Sequence, residues 1–159
     1  MASLVGSALP AARLAQLGVS AHPDRSLVLP LCTVDEAGFP HVALLGAWEV
    51  VAWDAVTLRV AIAGRSHSAE NLRRTGRATL VIVDGQGAHY VKLRVREVAP
   101  AMRVAPWNAR FEGCVEQVLA DAADPSREGT SHLVHGIGAA IDPSREPARA
   151  AVLAELREP

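Results

Sequence analysis

The stretch "AIAGRSHSAENLRRTGRATLVIVD", from Ala61 to Asp84, decides how this chain is read. It begins as a strand, breaks at Gly64 and passes through Arg65, Ser66, His67 and Ser68. A short helix is expected over Ser68 to Thr75, stopped by Gly76, and the chain then returns to a strand. A helix start carries free backbone N–H groups and the positive end of the helix dipole. Ser66 or Ser68 can cap it or donate a hydroxyl to a phosphate oxygen, and Arg65 can grip the same anion with two parallel donors. An ordinary capped helix with a surface arginine would carry the same residues. No strict capping box is present, because Ala69 follows Ser66 by three positions and Asn71 follows Ser68 by three.

Working outward, "TLRVAIA" from Thr57 to Ala63 alternates as a strand should. After Asp84, "GQG" is a turn and "AHYVKLRVREVA" a second alternating strand, with Tyr90, Lys92, Arg94 and Arg96 set against Val91, Leu93 and Val95. Upstream, Ser26 to Val34 is a strand interrupted by Pro30, which donates no ladder hydrogen bond and so marks an edge or a bulge. "DEAG" at Asp35 to Gly38 is a hairpin turn, and Phe39 to Trp53 reads as one long apolar strand. Leu9 to Leu17 is a short amphipathic helix. A sheet of hairpins either closes on itself or exposes edges, so a small barrel is expected.

Beyond Pro106 the composition changes. Arg110 to Ala123 is expected to be a helix, with Phe111, Val115, Val118 and Leu119 on one face. "DPSREG" at Asp124 and "DPSREP" at Asp142 both read as helix starts, with Asp as cap and Pro at the first helical position. Between them "SHLVHGIGAAI" is a sixth strand or a loop, and Ala148 to Leu156 is a terminal helix. The expectation is an α+β, mainly β, single domain: a six-stranded antiparallel split barrel over about residues 26–99, with a helical extension over about 107–159.

Composition narrows the chemistry. Half of the 159 residues are hydrophobic, 21% are charged, and the net charge is −1. Such a chain has a proper core and no general attraction to nucleic acid or to an anionic membrane surface. Cys32 and Cys114 show no metal-ligand spacing, and the N-terminus lacks the basic region of a signal peptide. The apolar run "HVALLGAWEVVAW" is interrupted by Glu49 and is too short to span a bilayer, so a cytoplasmic setting is expected. His132 and His135 are spaced i,i+3 but have no further ligand nearby, so no metal is expected. His41 and His89 read as surface or dimer-contact residues, and Arg73, Arg74 and Arg77 as a solvated basic face. No G-x-S-x-G, P-loop, G-x-G-x-x-G or CxxC motif is present, so a cofactor is expected to carry any reaction. Lys92 is the only lysine among 16 basic residues, which leaves an anion to be held by arginine, hydroxyls and amides.

The order of elements, and above all "GRSHSAENL" followed by Arg-Arg, a glycine and the strand "RATLVIVD", resembles the pyridoxamine 5'-phosphate oxidase-like family of FMN-binding split barrels. The likeness covers about Leu27 to Val98. It implies that Arg65, Ser66, His67 and Ser68 lie at the FMN phosphate, with Asn71 bracing the loop. It also implies that the backbone around Leu44, Leu45, Gly46 and Ala47 lies along the isoalloxazine ring. It further implies a homodimer with FMN between subunits, to which Trp48, Trp107 or His89 could come from the partner, and a flavin-dependent redox reaction on a small organic substrate. Related barrels bind deazaflavin F420 or haem, and others are stress-related flavin binders without turnover; for haem, His132 or His135 is the axial candidate. Two departures stand out. Ser68 takes the place of a lysine or threonine common in relatives, so more charge falls on Arg65. The ending "AVLAELREP" has no Arg- and Trp-rich character, so the vitamin B6 reaction is not implied.

Overall fold

The computed structural model describes residues 2–85, 87–124, 126 and 133–159. Among these, nine strands form one antiparallel sheet. They are β1 (Ser3–Gly6), β2 (Leu27–Val34), β3 (Pro40–Gly46), β4 (Val50–Ala52), β5 (Thr57–Ala63), β6 (Arg77–Asp84), β7 (Gly87–Ala99), β8 (Asn108–Asp121) and β9 (Ile137–Gly138). Three helices that lie wholly within the described residues flank it: α1 (Ala11–Leu17), α2 (His67–Thr75) and α3 (Glu146–Leu156). The main strand order is β3-β2-β6-β7-β8-β5-β4, with β1 added to β8 and β9 to β2.

Where the barrel splits follows from one local break. The apolar run expected as a single strand from Phe39 to Trp53 is interrupted by a 3₁₀ turn at Ala47–Glu49. Its first half, β3, lies at one edge of the sheet and its second half, β4, at the other, so the turn carries the chain across the opening of the curl. The Glu49 carboxylate accepts the Gly46 N–H at 2.8 Å, which satisfies the amide that the broken ladder leaves over. A Cβ at Gly46 would sit 2.2 Å from Nε1 of Trp48, so any larger residue there would displace that indole.

The helix expected over Arg110 to Ala123 is instead strand β8. Its register against β7 shifts between Lys92 and Leu93, which face Gln117 and Val115, leaving Glu116 as an extra residue. Phe111, Gly113 and Val115 point inward with period two, and the bulge then delays the next inward residue to Val118. The inserted residue therefore imitates an i, i+4, i+7 stripe. β8 pairs with β7 along one side, and with β5 and then β1 along the other. β1 was not expected from the sequence. These differences raise the strand number above the six expected and make the first part of the anticipated helical extension, up to Asp121, a strand.

The main core lies inside the curl, built from Leu29, Leu31, Leu58, Leu80, Ile82, Leu93 and Phe111 among others. Val152 and Leu156 of α3 cover a second cluster with Val51, Ala61, Met102 and Ala105. The Asp142 carboxylate accepts the Ser144 N–H at 3.0 Å and starts the turn into α3, as the "DPSREP" reading expects. For "DPSREG", Asp124 likewise accepts the Ser126 N–H at 2.9 Å, and the remainder of that segment lies outside the described residues. On the opposite side, Arg13 of α1 is buried and bonds to Asp84 at 2.5 Å and His89 at 3.1 Å, pinning the helix on the β6–β7 hairpin. His89 is thus a tether within the chain rather than a free surface residue.

Candidate functional site

Strand β5 ends at Ala63, and the Gly64 N–H is held by the Trp107 carbonyl at 2.8 Å. Ser66 takes an extended conformation (φ −80°, ψ 155°), and its Oγ accepts the Ala69 N–H at 3.2 Å, which makes it the cap of α2. The hydroxyl proton of Ser66 stays free to donate. The amides of His67 and Ser68 have no acceptor among the described residues. Arg65 is exposed and makes no hydrogen bond or ion pair there either. Two amides and one hydroxyl lie at the helix N-terminus, with one exposed, uncommitted guanidinium next to them in the chain, and this donor set fits a phosphate.

The helix is fixed from several sides. Asn71 is buried and donates from Nδ2 to the Thr33 hydroxyl at 3.1 Å, which in turn donates to the His41 carbonyl at 3.4 Å. That chain couples α2 to the β2–β3 hairpin. Arg73 bonds the Gly64 carbonyl at 2.8 Å and pairs with Glu97 at 2.5 Å, and Arg74 bonds the Val34 carbonyl. Arg73 and Arg74 therefore brace the turn and the hairpin rather than forming only a solvated face. The Glu97 carboxyl is held below its usual range by the Arg73 hydrogen bond. Gly76 closes the helix in the left-handed region, at φ 60°.

Ser68 is turned inward, only 1% exposed, so its accessible contribution to an anion is its N–H. His67 is exposed, with Nδ1 3.6 Å from Glu70, and its ring centroid lies 5.9 Å from that of His41 in an edge-to-face arrangement. His41, read from sequence as a surface or dimer residue, thus joins the same corner. The available signal was strand alternation, which puts His41 on the face of Ala43 and buried Leu45. Both histidines line an open cleft of about 540 Å³ with Asp35, Glu70, Asn71 and Arg74.

Along β3 the residues expected beside a flat ring do not share one environment. Leu44 is 65% exposed, Leu45 and Ala47 are buried, and the indole of Trp48 covers Gly46. With Val42 (50%), Leu44 leaves an apolar strip on edge strand β3, and exposed Phe39 (67%) precedes that strand in the hairpin turn. Glu49, just past β3, has its carboxyl pushed up to about 7 by burial, against the opposing pull of the Gly46 N–H and of Arg149. His132 lies outside the described residues, and Nδ1 of His135 sits 2.8 Å from the Gly136 carbonyl. Among the described residues no group of His, Cys, Asp and Glu could hold a metal ion. No helix there is long and apolar enough to cross a membrane.

A curled antiparallel sheet split at a short turn, with a capped helix start at the end of β5, defines a split-barrel protein. The pyridoxamine 5'-phosphate oxidase family profile matches residues 20–157, and the chain belongs to that family. Over 93 residues it is 31% identical to the uncharacterized protein YclD of Bacillus subtilis (strain 168), a match covering 58% of this chain. The chain spans 60% of YclD's length. Among solved structures, it is similar to a Lactobacillus delbrueckii protein classed by name with the pyridoxamine 5'-phosphate oxidases, at a TM-score of 0.58 and 20% identity, covering 74% of this chain and 98% of that one. It is also similar to HupZ of Group A Streptococcus, at a TM-score of 0.51 and 14% identity, covering 72% and 90%. At these identities the structural likeness speaks for the fold.

Proposed function

We propose that this chain binds FMN and uses it in a redox reaction on a small organic substrate. The observation that carries the reading is the uncommitted donor set at the start of α2: the Arg65 guanidinium, the Ser66 hydroxyl, and the amides of His67 and Ser68. Phosphate takes that corner, with His67 and His41 at its flank and Asn71 keeping the helix seated on the hairpin. Glu70 stands 3.6 Å from His67 and opposes a second negative charge, so Arg65 supplies the main attraction. The β3 backbone from Leu44 to Ala47 supplies the face for the flavin ring. When bound, FMN supplies the electron transfer, and the protein supplies grip, orientation and an apolar surround.

The active form is a homodimer with the cofactor between protomers. An edge strand bearing exposed Val42 and Leu44, with exposed Phe39 just before it, is a surface that calls for cover, and a second copy supplies it. Two free cysteines fit a reducing cytoplasm. The test is the chromophore released from purified protein. FMN identified by mass spectrometry, and reduced in the protein by NADH or NADPH, supports the reading. A Soret band, a deazaflavin, or a colourless protein that takes up no flavin refutes the cofactor assignment. FMN that binds but is never reduced would leave a flavin-binding protein without turnover.

A further inference from the structure

A second recess lies between the loop that follows β7 and α3, away from the cleft at His41 and His67. It has a volume of about 270 Å³. Trp48 and Trp107 give it two indole walls, and Val104 and Val152 complete the apolar surface. Its charged groups are Arg145 and Arg149, and no acidic side chain lines it. Arg149 lies 5.6 Å over the Trp48 ring and pairs at 3.2 Å with Glu146, which uses one side of its guanidinium. The Arg145 side chain makes no hydrogen bond or ion pair among the described residues. Asn108, only 6% exposed, also lines the recess, and its carboxamide is hydrogen-bonded to no described residue.

The Asn108 carboxamide opens on the recess, where it can donate to or accept from a bound molecule. Two guanidiniums beside two indoles put a positive rim on an apolar slot whose lining holds no carboxylate, with Asp142 and Glu146 offsetting part of that charge from outside it. We propose that this recess binds a small planar carboxylate of the heteroaromatic acid class. Its ring lies along the indoles, its carboxylate meets Arg145 and Arg149, and a ring heteroatom accepts from the Asn108 carboxamide. This binding does not need the flavin: Arg145, Arg149 and Asn108 have no part in the cofactor reading, and only Trp48 and Trp107 are shared with it.

The test is calorimetric titration of the purified full chain with nicotinate and with nicotinamide, its uncharged counterpart of nearly the same shape. Nicotinate is expected to bind saturably and nicotinamide about tenfold more weakly. Arg145→Gln changes an exposed, unpaired residue and leaves the fold intact. It is expected to weaken nicotinate by about tenfold and leave nicotinamide unchanged. Absence of saturable nicotinate binding, equal affinities for the two probes, or indifference to Arg145→Gln would each overturn the proposal. The flavin content of the same preparation, read by absorbance, separates this outcome from that of the cofactor reading.

Discussion

Glu49→Gln should change how stability depends on pH, with little effect in acid and a gain in base. Burial raises the Glu49 carboxyl from an ordinary 4.5 to about 7. A carboxyl raised in the folded state holds its proton there while the unfolded chain has already released it. Its contribution is therefore complete below about pH 4.5 and is lost as pH rises through about 7. At about 1.4 kcal/mol for each tenfold change in proton affinity, the gap amounts to about 3 kcal/mol at most. Glutamine keeps an oxygen to accept the Gly46 N–H, now 2.8 Å from the carboxylate, and removes the titration. Urea denaturation of wild type and variant at several pH values checks this. The difference between them should be small near pH 5 and should grow to about 3 kcal/mol in favour of the variant near pH 8.5. Other titrating groups cancel in that difference. Two parallel curves would mean that the carboxylate is well solvated and that the turn crossing the split is not built on a buried acid.

Two further predictions concern residues that hold the site and its scaffold. His89 is depressed by burial first and by the Arg13 charge second, while Asp84 acts in the opposite sense. Its contribution is therefore present above the ordinary histidine value of about 6.5 and lost as pH falls through the lower folded value. His89→Gln should flatten the acid limb of the stability profile, and an unchanged limb would contradict this. Asn71→Ala leaves the buried Thr33 hydroxyl without its donor and should cost about 1–3 kcal/mol in a denaturation curve, with weaker flavin binding as the helix start loosens.

Much of this architecture could be read in the amino-acid order, because its signals are local. Ser66 as a cap and Gly76 in the left-handed region are single-residue choices with few alternatives, and they place α2 between two alternating strands. The failures came where tertiary pairing overrides local pattern. A one-residue bulge at Glu116 makes a strand mimic a helical stripe. The long apolar run is cut at Ala47–Glu49, where a half-buried carboxylate takes up the Gly46 N–H, a cause that periodicity does not register. At the site, the hydroxyls and arginine were legible as types, yet the inward turn of Ser68 and the approach of His41 to His67 depend on how α2 seats against β2 and β3. Arg73 and Arg74 looked like a solvated face because their acceptors, Gly64, Glu97 and Val34, are set by the fold.

The central claim is that Arg65 and the start of α2 hold a flavin phosphate, and comparing FMN with riboflavin on wild type and Arg65→Ala tests it most directly. Riboflavin has the ring and lacks the phosphate, so the ratio of the two affinities isolates the corner. A charge-assisted contact contributes about 1.5–3 kcal/mol, so the ratio should exceed about a hundredfold in wild type and fall by at least about tenfold in the variant. Equal binding of the two flavins by wild type, or a ratio untouched by the loss of Arg65, would place the phosphate elsewhere.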